Sequence, residues 1–142
     1  MAPAPDGFDG NPIRVLVVED HPILSLALCE LLASDERLIV LDAVASGSAA
    51  CTHPLVDDVD VALIDIGLPD VDGVQVMRSL RCRNPGLRVV IMSGSGHDSA
   101  AADALADGAH AYLEKGALHD HIAETIVSAM RGSLPVSTGR SR

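Results

Sequence analysis

The stretch Val61-Ala62-Leu63-Ile64-Asp65 carries four apolar residues that end in a single carboxylate. Three other short apolar runs also end in polar residues, which are Glu19-Asp20, Ser93 and Lys115. Continuous apolar runs of this length are typical of buried parallel strands, and the carboxyl ends of such strands open onto one crevice. The four runs therefore predict a sheet whose polar strand ends converge in one site.

Segments with helical spacing separate these runs, which indicates βα units around a parallel sheet. The predicted strands cover residues 13–18, 38–44, 60–65, 88–93 and 109–113, and the predicted helices start near residues 21, 46, 74, 98 and 118. We therefore expect five βα units in one domain at residues 13–132. A disordered leader at 1–12 and a flexible tail at 133–142 are expected to flank it.

The composition excludes several classes of function. The formal net charge is -10, with no basic stripe, so direct nucleic-acid binding by this segment is not expected. Three cysteines without metal-ligand spacing indicate reduced core residues, and the chain has no signal peptide and no apolar stretch long enough for a membrane span. We expect a cytoplasmic protein that is neither exported nor embedded in a membrane.

The acidic residues of the predicted site would repel one another unless positive charge compensates them. Glu19, Asp20 and Asp65 bring three negative charges into one crevice, where a divalent cation and one ammonium would compensate them. Mg²⁺ suits an all-oxygen donor set and is commonly held by one or two carboxylates with a phosphate group. Lys115, the only lysine beside nine arginines, would supply the remaining positive charge.

A carboxylate at a strand end can act as a nucleophile towards phosphorus and form an aspartyl phosphate. Asp65 is the candidate, because it alone lies at the tip of a buried strand, and the small Gly67 in the following turn leaves room for a backbone carbonyl to face a metal. Ser93 and Lys115 could each contact a phosphoryl oxygen. The pattern thus predicts a magnesium-dependent phosphoryl acceptor.

These residues resemble the successive motifs of two-component response-regulator receiver domains. The motifs are Glu19-Asp20-His21-Pro22, the segment from Asp65 to Gly73, Met92-Ser93-Gly94 and the segment from Gly108 to Lys115. The first and last of them look most like receivers of LuxR, NarL and FixJ-type regulators, and we expect this sequence to contain the receiver without an output domain.

The resemblance implies a flavodoxin-like (βα)5 doubly wound parallel sheet with strand order 2-1-3-4-5. It implies Asp65 as the phosphoacceptor, and a Mg²⁺ site formed by Asp20, Asp65 and the Gly67 carbonyl, with Glu19 acting mainly through water. It also implies that Ser93 and Lys115 contact the phosphoryl group and that Ser93 and Tyr112 carry the conformational switch. The implied partners are a sensor histidine kinase or phosphotransfer protein, a downstream protein or output domain, and a second copy in a phosphorylation-dependent homodimer.

Other functions fit the sequence less well. The segment from Gly94 to Ser99 imitates a dinucleotide fingerprint, but it lacks the third glycine. Phosphatases of the haloacid dehalogenase type need a second Asp two positions after the first, where this chain has Gly67, so turnover of external substrates is not expected. A phosphate-independent docking module with the same fold remains the alternative function, and Tyr112 could be a residue at the edge of the core.

Overall fold

The described residues form a parallel sheet of six strands in the spatial order β2-β1-β3-β4-β5-β6. The structure is a computed structural model and describes residues 10–94, 98–131 and 136–138. Its strands are β1 (Ile13–Val18), β2 (Leu38–Val44), β3 (Val61–Asp65), β4 (Arg88–Ser93), β5 (Ala111–Glu114) and β6 (Val136–Thr138). The predicted flavodoxin-like order 2-1-3-4-5 is confirmed, and β6 extends it by one strand beside β5.

Within the described residues, five α-helices connect the strands, and each begins within three residues of its predicted start. They are α1 (Pro22–Ala33), α2 (Gly47–Cys51), α3 (Gly73–Arg83), α4 (Asp98–Ala106) and α5 (Leu118–Met130). Short 3-10 turns at Val56–Asp58 and Lys115–Ala117 were not predicted. None of the described helices has the length and apolar character that crossing a membrane requires.

The side chains of the central strands alternate between two apolar layers. Val15 and Val17 of β1 join one buried cluster with residues of α1 and α5. Leu16 and Val18 join a second buried cluster with residues of α2, α3 and α4 on the opposite face of the sheet. Because both faces are covered, the buried positions of the central strands are apolar, and polar side chains such as Arg14, Asp65 and Ser93 lie at or next to strand ends.

The two ends of the chain are described only in part. Residues 136–138, which the sequence placed in a flexible tail, pair in parallel with Ala111, Tyr112 and Leu113 of β5. This pairing satisfies backbone groups on the outer edge of β5 without any long apolar run, so periodicity could not find it. Residues 1–9 of the leader lie outside the described residues, and the expected domain limits of 13–132 stay a prediction.

Candidate functional site

Four predicted side chains meet where β1, β3 and β5 end. Lys115 Nζ lies 3.0 Å from Asp65 Oδ2 and 3.3 Å from Glu19 Oε1. Asp20 follows Glu19 directly at the end of β1, and one oxygen of each of these two carboxylates lies within 4.8 Å of one Asp65 oxygen. The parallel sheet therefore brings Glu19, Asp65 and Lys115, each at least 46 positions from the others in sequence, into one site.

Two of the three carboxylates are removed from solvent. Glu19 is 1% exposed and Asp65 is 3% exposed, whereas Asp20 is partly exposed. Buried carboxylates are costly unless cations or hydrogen bonds compensate them, and Lys115 is the ammonium in contact with both. Burial opposes the charged form of Lys115, but the hydrogen bond and charge of Asp65, followed by the charge of Glu19, outweigh it and raise the pKa of the ammonium.

Glu19, Asp20 and Asp65 form a carboxylate cluster, and this cluster contains acceptor atoms that the described residues leave without hydrogen bonds. Glu19 Oε1 and Asp20 Oδ1 are buried and accept none, although Lys115 Nζ makes an ion pair with the first at 3.3 Å. Buried acceptors of this kind need a hydrogen-bond donor or a cation as a partner, because a buried polar atom without a partner destabilises the fold. An oxygen-rich, negatively charged group with open acceptors fits a hard divalent cation.

His21 also belongs to this group, which the sequence reasoning missed. Its backbone N–H donates to Glu19 Oε2 at 3.1 Å, and its Nδ1 lies 2.8 Å from the same oxygen and 3.4 Å from Asp20 Oδ1. The hydrogen bond to Glu19, followed by the charges of Asp20 and Glu19, raises the pKa of the imidazole. The only sequence signal was the spacing of two residues between Glu19 and His21 in a strand-end loop.

The loop after β3 is fixed to its surroundings by two further aspartates. The Gly67 N–H donates to Asp65 Oδ1 at 3.0 Å, so the turn folds back onto the proposed nucleophile. Asp72 caps α3 by accepting from Val74 N–H at 2.8 Å, while Asp70 accepts from the N–H groups of the first two residues of α2. The role of the Gly67 carbonyl as a metal ligand stays a prediction.

The two predicted switch residues lie on β4 and β5. Ser93 is fully buried, and its Oγ donates to the Gly94 carbonyl oxygen at 3.1 Å. Tyr112 is 2% exposed, and its hydroxyl donates to Glu114 Oε2 at 3.3 Å. Residues 95–97, the rest of the loop predicted to move, lie outside the described residues. The structure therefore places both side chains inside the fold, and their roles as a switch stay predictions.

Comparison with protein families gives an assignment for this arrangement. The family model described as "Response regulator receiver domain" matches residues 15–127, which include every residue of the cluster. The chain belongs to the response-regulator receiver family.

Relatives of this receiver include a DNA-binding transcriptional activator and a nitrate/nitrite response regulator. The DNA-binding transcriptional activator DevR/DosR of Mycobacterium tuberculosis is 34% identical over 103 residues, which cover 72% of this chain and 48% of that protein. The nitrate/nitrite response regulator protein NarL of Escherichia coli is 25% identical over 127 residues, covering 89% of this chain and 59% of that protein. The receiver thus spans about half the length of the curated relatives it matches.

Solved structures agree on the fold. A LuxR-family two-component response regulator from Aurantimonas sp. SI85-9A1 superimposes with a TM-score of 0.81 at 22% identity, covering 90% of this receiver and 91% of that chain. A signal receiver domain assigned to the response regulator NarL of Mycobacterium tuberculosis gives a TM-score of 0.78 at 27% identity. The superposition covers 86% of this receiver and 98% of that chain. The resemblance to receivers of LuxR and NarL-type regulators is confirmed.

Proposed function

We propose that this receiver accepts a phosphoryl group on Asp65 from a sensor histidine kinase or a phosphotransfer protein, in a Mg²⁺-dependent reaction. One observation carries the proposal: Lys115 Nζ contacts Asp65 Oδ2, the Gly67 N–H contacts Oδ1, and two open carboxylate oxygens lie beside them. Contacts on both oxygens orient the carboxylate towards one attack geometry.

The donor set suits Mg²⁺. Asp20 and Asp65, with the Gly67 carbonyl, would hold the ion, and Glu19 would act mainly through water. When bound, Mg²⁺ neutralises negative charge on the reacting groups and lets an anionic phosphoryl group approach a carboxylate. Glu19 Oε1, which Lys115 Nζ approaches to 3.3 Å, and Asp20 Oδ1 support this assignment, because the described residues leave both oxygens without hydrogen bonds.

In the proposed transfer, an Asp65 carboxylate oxygen forms a bond to phosphorus while the bond from phosphorus to the donor imidazole nitrogen breaks. The electron pair of the broken bond stays on the donor imidazole. Lys115 moves its contact from the carboxylate to a phosphoryl oxygen, and Ser93 donates to another. The receiver is itself modified in this step and does not turn over external substrates.

Phosphorylation adds about -1.5 to -2 charge and three acceptor oxygens at the end of β3. Ser93 would give up its hydrogen bond to Gly94 to reach the phosphoryl group, which would draw in the loop after β4. Tyr112 on the neighbouring strand β5 would then respond to this loop and change the face that contacts an output domain, a downstream protein or a second copy. Since the relatives include transcriptional regulators, we propose that the receiver acts in the cytoplasm to control transcription through such a partner.

Intact mass after incubation with acetyl phosphate and Mg²⁺ tests the acceptor. We expect the native chain to gain the mass of one phosphoryl group and Asp65→Asn to gain none. Asp57→Asn, which alters an exposed acid in the 3-10 turn before β3, is the matched control and should gain one. Equal labelling of native chain and Asp65→Asn would refute the proposal.

Beryllofluoride with Mg²⁺ separates the phospho-switch from a phosphate-independent docking module. Tyr112 is the sole tyrosine and the chain has no tryptophan, so the ultraviolet fluorescence of the protein reports on this residue. A phospho-switch should change the emission of Tyr112 when the analogue and Mg²⁺ are both present. An unchanged spectrum with the analogue bound would favour the docking module.

A further inference from the structure

The outer edge of β5 is covered by a strand of only three residues. On its inner side β5 pairs with β4, and on its outer side it pairs in parallel with β6. The outer register joins Ala111 to Val136, Tyr112 to Ser137 and Leu113 to Thr138. The three β5 residues of this register are between 0% and 2% exposed. The edge of β5 is therefore closed by a short segment of the same chain.

The pairing of β6 is the slightest in the sheet. β6 has three residues, whereas the other described strands have four to seven. It stands last in the strand order, so β5 is its only strand neighbour among the described residues. Its sequence, Val136-Ser137-Thr138, contains a single apolar residue. Short edge segments of this kind open at a low free-energy cost, so we expect β6 to detach before any other strand.

A short connection keeps β6 close to β5 even when the two strands are not paired. α5 ends at Met130 and β6 begins at Val136, so residues 131–135 join them. α5 supplies the crossover that a parallel neighbour of β5 requires. A tethered segment meets its binding site at a high effective concentration, because its binding is intramolecular. β6 therefore behaves as a ligand attached to the protein that binds it.

We propose that the outer edge of β5 is a binding site for an extended peptide segment, and that residues 136–138 are its releasable intramolecular ligand. Recognition is by main-chain hydrogen bonds, as when a strand is added to the edge of a sheet. Release of β6 leaves N–H and C=O groups of β5 without strand partners, and such an edge accepts another extended segment. Tyr112 lies in the middle of the paired residues, which links occupancy of the edge to the proposed switch; this link alone rests on the proposed function.

Two adjacent prolines in β6 test the proposal in the full chain. Neighbouring N–H groups of a strand point to opposite sides, so Val136→Pro/Ser137→Pro removes one N–H that faces β5. Arg140→Pro/Ser141→Pro adds the same two prolines after the end of β6 and is the matched control. Backbone amide exchange followed by NMR should be faster at one or more of residues 111–113 in the first variant and unchanged in the second. Equal exchange rates in both variants would overturn the proposal.

A synthetic peptide with the sequence of residues 133–142 tests whether the edge binds a strand supplied in trans. Titration of this peptide into the Val136→Pro/Ser137→Pro receiver should shift the amide signals of residues 111–113 and slow their exchange. The native chain should bind the peptide more weakly, because its tethered β6 competes for the same edge. A peptide with proline at the positions of Val136 and Ser137 should cause no shift. Equal shifts with both peptides would overturn the proposal, since strand pairing would then not be what is recognised.

This inference and the proposed function fail separately. A proline variant that accepts a phosphoryl group from acetyl phosphate but shows no peptide-induced shifts overturns the strand-binding edge alone. Peptide-induced shifts in a receiver that is not phosphorylated overturn the acceptor alone. Dimers of the proline variant in sedimentation that the peptide does not dissociate would assign the edge to a second copy and overturn the assignment to residues 136–138. Equal Tyr112 fluorescence in the native chain and the proline variant would overturn the link to the switch.

Discussion

Asp70 Oδ1 accepts a hydrogen bond from the backbone N–H of Gly47 at 3.0 Å, and Asp70 Oδ2 accepts one from the next residue, Ser48, at the same distance. Asp70 lies in the loop that follows Asp65, and Gly47 is the first residue of α2. Gly47 is buried, and a Cβ at this position would lie 2.9 Å from Val71 Cβ. The loop beside the proposed phosphoacceptor is therefore fixed to α2 through close contacts.

Replacing Asp70 by Ala is expected to loosen this loop and weaken Mg²⁺ binding. Both hydrogen bonds to α2 are lost, so the turn that positions Gly67 against Asp65 is less constrained. Calorimetric titration with Mg²⁺ should give a lower affinity for Asp70→Ala than for the native receiver. Asp57→Ala removes a carboxylate from an exposed 3-10 turn and should bind Mg²⁺ with native affinity; equal affinities for all three proteins would contradict the expectation.

Acidification should weaken the contact between the Asp70 carboxylate and the first two residues of α2. The hydrogen bonds from Gly47 and then Ser48 lower the pKa of Asp70 in the folded state. A carboxyl group whose pKa is lowered by folding stabilises the protein above its unfolded pKa, and this stabilisation is lost as pH falls through the lowered value. Unfolding in urea should therefore show a smaller loss of stability on acidification for Asp70→Ala than for Asp57→Ala, in the pH range below the unfolded carboxyl pKa.

Asp20→Asn should stabilise the metal-free receiver and abolish its stabilisation by Mg²⁺. The substitution removes one of three clustered negative charges, and it also removes a proposed ligand. At a Mg²⁺ concentration 100 times the dissociation constant, we expect the native chain to gain about 2.7 kcal/mol in free energy of unfolding. Thermal unfolding in EDTA and in Mg²⁺ measures both effects, and a Mg²⁺-induced shift of native size in Asp20→Asn would contradict the ligand assignment.

Gly73→Ala should destabilise the receiver by about 1–3 kcal/mol, because the new methyl group would clash with backbone atoms of the segment that follows β3. A Cβ at Gly73 would lie 2.9 Å from Ile66 Cα and 3.2 Å from the Asp65 carbonyl oxygen. Gly86→Ala is the matched control, since a Cβ there would meet only Asn84 Oδ1 at 3.8 Å. Urea unfolding of the two variants measures the difference in stability. Equal unfolding midpoints would show that the backbone at the end of β3 shifts to accommodate the methyl group without loss of stability.

His110 should make the fold sensitive to mild acid. Its Nδ1 accepts a hydrogen bond from Val89 N–H at 3.2 Å, so this nitrogen carries no proton in the folded state. Burial, followed by the charges of Arg81 and Arg88, lowers the pKa of the imidazole. The unfolded chain therefore binds a proton first, and stability falls as pH drops from the unfolded pKa of about 6.5 to the lowered folded value.

The measurement is the free energy of unfolding in urea at several pH values from neutral to below the unfolded histidine pKa. His110→Asn keeps an acceptor near the position of Nδ1 but does not titrate, so it should lose less stability over this range than the native chain. A native chain and variant with parallel pH profiles would show that His110 has no part in the acid response.

The sequence predicted the strands best where an apolar run has sharp limits. β4 spans Arg88–Ser93 as expected, because Pro85-Gly86 ends the preceding helix and Ser93 ends the apolar run. β5 begins at Ala111 and not at the predicted residue 109. The N–H of Ala109 bonds back to Ala104 O, and Gly108 has a φ of +118°, so these two residues close the end of α4.

The candidate site was predictable to the extent that it depends on strand ends. A parallel sheet brings Glu19, Asp65 and Lys115 together whatever their separation in sequence, so position at a strand end was sufficient. The contacts of His21 and Asp70 depend on how individual loops fold, and no periodicity encodes them. Local loop geometry therefore accounts for what sequence reasoning missed at the site.

Lys115 is the only side-chain amine in the chain, and it lies in the carboxylate cluster. Reagents that acylate amines therefore have one side-chain target, and its ion pairs with Glu19 and Asp65 slow its reaction. Any ligand that draws Lys115 away from these carboxylates, or covers it, changes the labelling rate at this single position. Chemical footprinting by mass spectrometry can thus follow occupancy of the site without a mutation or an attached dye.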